Sequence, residues 1–214
     1  TSEQRRRRWM ALAIVALALY SRGCLQTLRR ELALEYDHLE RGILHLYTDP
    51  QAFARGMDAA RTMREFGLDR EPVSAERCVE IEPALAGARQ WLAGGHYTPS
   101  DESGDAHKFT RALAERAAAR GVEFRLDSTV DRITASSGRI AGVMVSGPAG
   151  SQLLTADAYV VALGSYTPLL LRPLGVRLPV IPAKGYSVTV SLSTAALAPT
   201  VSLTDDEHRL VFSR

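Results

Sequence analysis

The sequence is poor in the residues that staple or clamp a chain. Its 214 residues hold two cysteines, Cys24 and Cys78. Two cysteines cannot cross-link a small secreted scaffold and read as free thiols of a reducing compartment. Lysine occurs only at Lys108 and Lys184, every other basic residue being arginine, which reads as genomic composition bias. Charge of one sign is also lacking. The net charge is +2, and Glu3 with Arg5 to Arg8 sum to +3, so the rest of the chain sums to −1. No basic face is left for a phosphate backbone, which argues against nucleic-acid binding. Sixteen Gly and ten Pro without a period exclude collagen-like and Pro-rich low-complexity chains. What is present is ordinary: 46% apolar and 23% charged residues. That composition excludes a disordered chain and suits one large domain or two small ones.

Most motifs with a mechanism are missing too. No G-x-S-x-G occurs, although Gly164-Ser165-Tyr166 follows an apolar run as a nucleophile elbow would. The histidines His38, His45, His96, His107 and His208 have no H-E-x-x-H or paired metal spacing, so no metal is expected. Lys108 and Lys184 lack the Gly-rich loop of a P-loop, and no G-x-G-x-x-G follows any strand. No internal repeat or long linker is visible.

The chain begins Thr1-Ser2, which reads as a processed or truncated product. Arg5 to Arg8 before the apolar run 9–19 has signal-peptide grammar, and Ser21-Arg22-Gly23-Cys24 hints at a lipoprotein cleavage box. The run is shorter than the about 20 residues a spanning helix needs. Leu12, Val15, Ala16, Leu19, Cys24, Leu25 and Leu28 recur at roughly helical spacing. The sequence therefore favours a long buried helix over 4–34, with the Arg run as its solvated start.

Further along, 42–47 alternates and predicts a strand. Asp49-Pro50 starts a helix that stops at Gly67. Pro72-Val73 is short and extended, and Ser74 starts a brief helix ending before Pro83. The turn-like stretch 99–105 ends at Asp105, an N-cap for a helix over 106–120 with Phe109, Leu113 and Ala117 as its buried stripe. Residues 122–126 and 129–133 read as extended. Segments 139–146 and 152–155 flank a Gly147-Pro148-Ala149-Gly150 turn and predict a hairpin. The run 159–163 reads as a strand buried on both faces, with further strands at 176–181 and 185–192.

Five segments together carry a resemblance. They are Tyr20-Ser21-Arg22-Gly23-Cys24-Leu25, Glu80-Ile81-Glu82-Pro83-Ala84-Leu85, residues 92–105 (LAGGHYTPSDESGD), residues 157–168 (DAYVVALGSYTP) and residues 179–190 (PVIPAKGYSVTV). In this order and spacing the chain resembles the family of FAD-dependent D-amino acid, glycine and sarcosine oxidoreductases, and within it the D-amino acid dehydrogenase branch. The resemblance runs from about Arg6 to Arg214. Ala106 stands where that branch usually has Cys.

The resemblance implies an α+β fold, with a mixed-sheet substrate domain and part of a Rossmann-like FAD-binding domain. The expected division is discontinuous: 1–93 helical and substrate-side, 94–168 partial FAD-binding domain, 169–214 substrate-domain strands. It implies FAD contacts at Val130, Ala162, Gly164 and Ser165, where small residues let the backbone approach the cofactor. Read alone, Gly164 simply ends a strand. Asp101 and Glu102 are open between acid–base work near the flavin and a solvated turn. Tyr186 is a substrate-side candidate, with core tyrosine as the default. His45 and Tyr47 are weaker candidates of the same kind, and His96 reads as a satisfied turn histidine. No catalytic residue is assigned.

The activity implied is oxidative deamination of D-amino acids to 2-oxo acids, with electrons passing to a respiratory acceptor. The expected location is cytoplasmic, with peripheral association at the inner membrane. Full members carry an N-terminal G-x-G-x-x-G and continue past the point matching Arg214, so the expectation is a central fragment that binds FAD weakly or not at all and is inactive alone. Two alternatives stand beside it: a glycine- or sarcosine-type oxidase fragment, and a non-catalytic binding or structural domain, including a lipoprotein beginning at Cys24.

Overall fold

The computed structural model describes residues 2–191 and 198–214. These form two compact units, one of residues 1–121 with 191–214 and one of residues 122–190. The first unit is built on a five-stranded mixed sheet. Its strands are β1 (Ile43–Tyr47), β2 (Glu71–Val73), β3 (Gly94–Thr98), β7 (Ser202–Asp205) and β8 (Leu210–Phe212), in the order β2-β3-β1-β7-β8. β1 pairs antiparallel with β3 and parallel with β7; the other pairs are antiparallel.

Alternation along β1 sends Leu44 and Leu46 to one face of the sheet and Ile43, His45 and Tyr47 to the other. Leu44 and Leu46 join Val73, Cys78, Leu85, Val201 and Leu203 in the core. α3 (Ala75–Ile81) and a 3-10 helix (Pro83–Trp91) supply Cys78 and Leu85. The segment leading into β7 is fastened to them by one buried carboxylate. Glu82 accepts hydrogen bonds from the N–H groups of Ala84 (3.0 Å), Thr200 (2.5 Å) and Val201 (2.9 Å) and from the Thr200 hydroxyl (3.1 Å). Burial pushes this carboxyl up; the hydrogen bonds outweigh burial and hold it below its ordinary value.

α2 (Pro50–Glu65) starts where the sequence predicts. The Asp49 carboxylate accepts from the N–H groups of Gln51 and Ala52, and Pro50 needs no N–H partner. α4 (Ala106–Ala118) is capped by Asp105, as expected, and its Phe109, Leu113, Ala117 stripe is half-buried rather than enclosed.

The second unit is a meander, β4-β5-β6, of Thr129–Ser136, Arg139–Gly147 and Gly150–Leu154. Ile133 and Val145 are buried in it. A short helix, α5 (Thr167–Leu171), follows a 3-10 turn at Gly164–Tyr166. The hairpin turn at 147–150 lies where the sequence places it.

Several expectations are corrected. Residues 122–126, 159–163, 176–181 and 185–191 form no strand, and the end of the last segment, Leu192, lies outside the described residues. Val160, expected inside a sheet, is 92% exposed. An apolar run specifies a buried strand only if neighbours pair with it, and no described strand pairs with this one. α1 (Ser2–Leu32) is a long helix, but its expected burial is confined to one side: Val15 is buried, while Trp9, Met10, Leu12, Ile14, Leu17 and Tyr20 are exposed.

Candidate active site

The face of the five-stranded sheet away from the leucine core gathers several of the first unit's perturbed side chains. His45 lies directly opposite His96 across the β1–β3 ladder, and opposite Thr204 across β1–β7. Directly paired residues share a face, so His45, Tyr47 and His96 all project from the side away from the leucine core. The turn after β7 brings Asp206 to His45, with Nδ1 and Oδ2 3.0 Å apart. Burial and the Arg70 charge push the His45 imidazole below its ordinary value, with Asp206 acting in the opposite direction. Burial pushes the Tyr47 hydroxyl up, so it stays a neutral donor at pH 7.

His96 is the most enclosed group of this face, at 0% exposure. The Tyr47 ring stands edge-on to it at 5.1 Å and 89°, and Phe53 of α2 closes the box at 5.3 Å. Neither ring nitrogen has a hydrogen-bond partner among the described residues. Burial first, then the charges of Arg70, His45 and Arg64, lower its pKa to about 4, against a weaker pull from Asp206. α2 can approach this closely because residue 56 is glycine. A Cβ there would stand 2.7 Å from His96 Cε1 and 2.9 Å from the Tyr47 hydroxyl.

The two carboxylates left open by the sequence separate here. Glu102 is paired: Arg29 and Gln26 of α1 both donate to it. Burial alone would raise its pKa, but these partners leave it below its ordinary value. Its role is to hold α1 against the loop. Asp101 is less well served. Arg22 Nη1 lies 3.3 Å away, and burial keeps the Asp101 pKa raised. A raised carboxyl and a lowered imidazole that sense each other's charge are the kind of pair that marks functional sites.

The remaining candidates lie in the second unit. Val130 is on β4, an edge strand of the meander, next to a register shift that leaves Asp131 out of the pairing. Ala162, Gly164 and Ser165 are exposed. Gly164 has φ +53°, in the left-handed region, and a Cβ there would meet nothing within 4 Å. Tyr186 is not a core tyrosine: it is 87% exposed, with the Lys184 ammonium 5.2 Å from its ring centre. Burial would require an element packed over 185–191, and these residues are exposed throughout.

Sequence reasoning missed His96 as part of this face, together with Arg70, Asp206 and Gly56. Placing His96 required the β1–β3 register, and Asp206 belongs to a hairpin that the sequence did not announce. The signal that was available is the spacing of His45 and Tyr47 at alternate positions of a strand. Among the described residues no group of three or more His, Cys, Asp or Glu could hold a metal ion.

Comparison with known proteins adds the context. Residues 2–214 match the DAO family, described as FAD dependent oxidoreductase. The chain is 67% identical over 203 residues to a D-amino acid dehydrogenase of Dechloromonas aromatica (strain RCB), covering 94% of this chain and 49% of that protein. A second D-amino acid dehydrogenase, from Paramagnetospirillum magneticum (strain ATCC 700264 / AMB-1), is 52% identical over 198 residues, covering 92% and 46%. The chain thus spans about half the length of the curated relatives it matches. Among solved structures, glycine oxidase from Geobacillus kaustophilus aligns with a TM-score of 0.76 at 27% identity, over 90% of this chain and 50% of that one. L-proline dehydrogenase from P. horikoshii, at 19% identity and a TM-score of 0.63, shares the fold.

Proposed function

The chain belongs to the DAO family of FAD dependent oxidoreductases, and we propose on that footing that it serves, as a central part of the whole protein, the oxidative deamination of D-amino acids to 2-oxo acids. The carrying observation is the 67% identity, over 94% of the chain, to a D-amino acid dehydrogenase. The word dehydrogenase points to an acceptor other than oxygen. A respiratory acceptor, and a peripheral place on the cytoplasmic side of the inner membrane, go with this reading.

The second unit has residues that suit a flavin nucleotide. Val130 offers backbone on an edge strand, and Gly164, between Ala162 and Ser165, leaves open space where a side chain would project. These four would hold FAD through close backbone approach. When bound, the flavin supplies the acceptor for the hydride that leaves the substrate Cα.

The protein's own part is to bind, orient and move a proton. A D-amino acid carries an ammonium group that must lose a proton before its nitrogen lone pair can assist loss of hydride. His45 is the group suited to receive it. Nδ1–H donated to Asp206 leaves Nε2 as the acceptor, and the lowered pKa keeps the ring neutral at pH 7. Arg70 supplies positive charge beside Tyr47 and His45, where a substrate carboxylate would be attracted. His96, neutral and enclosed, forms a dry wall behind Tyr47 and is not a proton carrier at neutral pH.

The test is the pH profile of kcat/KM for the whole flavin-loaded protein, isolated from cells that make it and assayed with D-amino acids and a dye acceptor. Removal of a general base costs about 10²–10⁴-fold. His45→Gln is therefore expected to lower kcat/KM by that order and to erase the acidic limb, and Asp206→Asn to lower it less. An unchanged acidic limb in His45→Gln would overturn the assignment. The glycine oxidase fold neighbour makes oxygen the alternative acceptor, and stoichiometric hydrogen peroxide would favour it.

A further inference from the structure

Two charged groups of the His45 face stand on separate loops. Arg70 directly precedes edge strand β2. Pro72 pairs with His96, so alternation puts Arg70 on the face that carries His96 and His45. Asp101 follows β3, just after the turn at Pro99-Ser100. The charges of Arg70 and Asp101 both reach the His45 imidazole. Backbone bonds hold parts of the second loop: Gly42 donates to the Asp101 carbonyl at 3.0 Å, and Leu39 and Ser103 exchange bonds of 2.8 and 3.0 Å. These reach nothing in 68–70. Leu68 bonds back to Met63 at 3.1 Å, and the sheet resumes at Glu71.

A side chain of α1 joins the two loops. The Asp69 carboxylate, next to Arg70, accepts from the Ser100 N–H at 3.1 Å and from the Ser100 hydroxyl. That hydroxyl in turn accepts from Nη1 of Arg22, and the same nitrogen lies 3.3 Å from Asp101 Oδ1. One guanidinium nitrogen meets the Asp101 loop directly and the Arg70 loop through one serine. A hydroxyl that accepts and donates at once is polarised by both partners. The Arg22 side chain is 25% exposed, so water screens these bonds less than those of a surface pair. Arg22, Gln26 and Arg29 follow at spacings of four and three residues, one face of α1. Together they grip three successive residues, Ser100, Asp101 and Glu102.

We propose that Arg22 is a positioning residue for the reaction: through Ser100 and Asp69 it sets Arg70, directly it sets Asp101, and so it keeps both charges within reach of His45. The inference rests on the reading of this face as the place where substrate is bound and gives up its proton. It deepens that reading by assigning part of the site's geometry to α1, a helix that supplies no group to the face itself.

The experiment uses the whole flavin-loaded protein, isolated from cells that make it. The control is Arg8→Gln, which breaks a different tie of α1, to Glu65. Hydrogen exchange read by mass spectrometry asks whether the link exists. Arg22→Gln, and the milder Ser100→Ala, should each speed exchange about tenfold in peptides covering 68–72 and 99–103, and Arg8→Gln should not. Kinetics with D-amino acids and a dye acceptor ask whether the link serves the site. Arg22→Gln should raise the substrate KM about tenfold, lower kcat less and leave the KM for the dye unchanged, because the displaced Arg70 is the group that attracts substrate carboxylate. Arg22→Lys should recover much of the loss, since both bonds leave one nitrogen and an ammonium can donate both. On an Arg70→Gln background Arg22→Gln should add little, as expected of residues that act through one another. Unchanged exchange in both peptides overturns the proposal. So does an active protein in which Arg22→Gln leaves the substrate KM alone, loses no more than Arg8→Gln, or multiplies in full with Arg70→Gln. A parent protein that oxidises no D-amino acid, while Arg22→Gln loosens both peptides, defeats the redox reading and leaves the link from α1 to Arg70 standing.

Discussion

His96 and Glu82 show how single buried groups set the behaviour of this molecule. His96 has a pKa of about 4 in the folded state against an ordinary 6.5. The unfolded chain therefore binds more protons between those values, and stability is full above about pH 6.5 and falls as pH drops toward 4. The charges facing His96 are Arg70, His45, Arg64 and Asp206, and three of these four disfavour the imidazolium. At about 1.4 kcal/mol per unit, urea unfolding at pH 5 should show a loss of about 2 kcal/mol that His96→Leu lacks. At pH 7.5 the same variant should be neutral or stabilised, because it deletes two unpartnered polar atoms. An identical pH response in both proteins would contradict this. Glu82 works in the same direction at lower pH: its pKa is depressed, so its contribution is present above about pH 4.5 and is lost as pH falls through the folded value. Glu82→Ala leaves the N–H groups of Thr200 and Val201 without an acceptor and should cost about 3 kcal/mol or more in urea. A loss under about 1 kcal/mol would mean that water replaces the carboxylate.

At the scale of elements, α2 and the sheet meet at Gly56. A mid-helix glycine ordinarily weakens a helix, so Gly→Ala usually gains up to about 1 kcal/mol. Here the new Cβ would press on His96 and the Tyr47 hydroxyl, both held by Phe53 and the sheet. Overpacking costs about 1–3 kcal/mol, and the clash wins. Gly56→Ala should lower the thermal midpoint, whereas Ala at the open Gly23 of α1 should not. β1, α2 and α4 were legible because alternation and Asp caps are local signals. β7 and β8 were not, since β7 pairs in parallel with a strand far away in sequence, and nothing within Ser202–Asp205 announces that partner. The reverse error, strands read at 159–163 and 176–181, has the same root: apolarity reports what would bury well, not whether a partner strand is present. The site follows this pattern. His45 and Tyr47 came from a local alternation; His96 and Asp206 needed tertiary pairing.

The whole molecule carries two units of different finish. The first has a packed sheet with a leucine core; the second has a meander followed by a long irregular, exposed stretch over 176–190. Exposed irregular backbone opens at little cost, so limited trypsin should cut at Arg177 or Lys184 before Arg132 or Arg139 in the meander. Early cuts inside β4 or β5 would contradict that order. The proposed redox activity belongs to the scale of the whole protein. Its most direct test is anaerobic mixing of the flavin-loaded protein, isolated from cells that make it, with D- and L-amino acids while the flavin's visible absorption is followed. D-amino acids alone are expected to bleach the flavin, with electrons recovered on a dye acceptor. Absence of bleaching by every D-amino acid, or equal bleaching by both enantiomers, would contradict it.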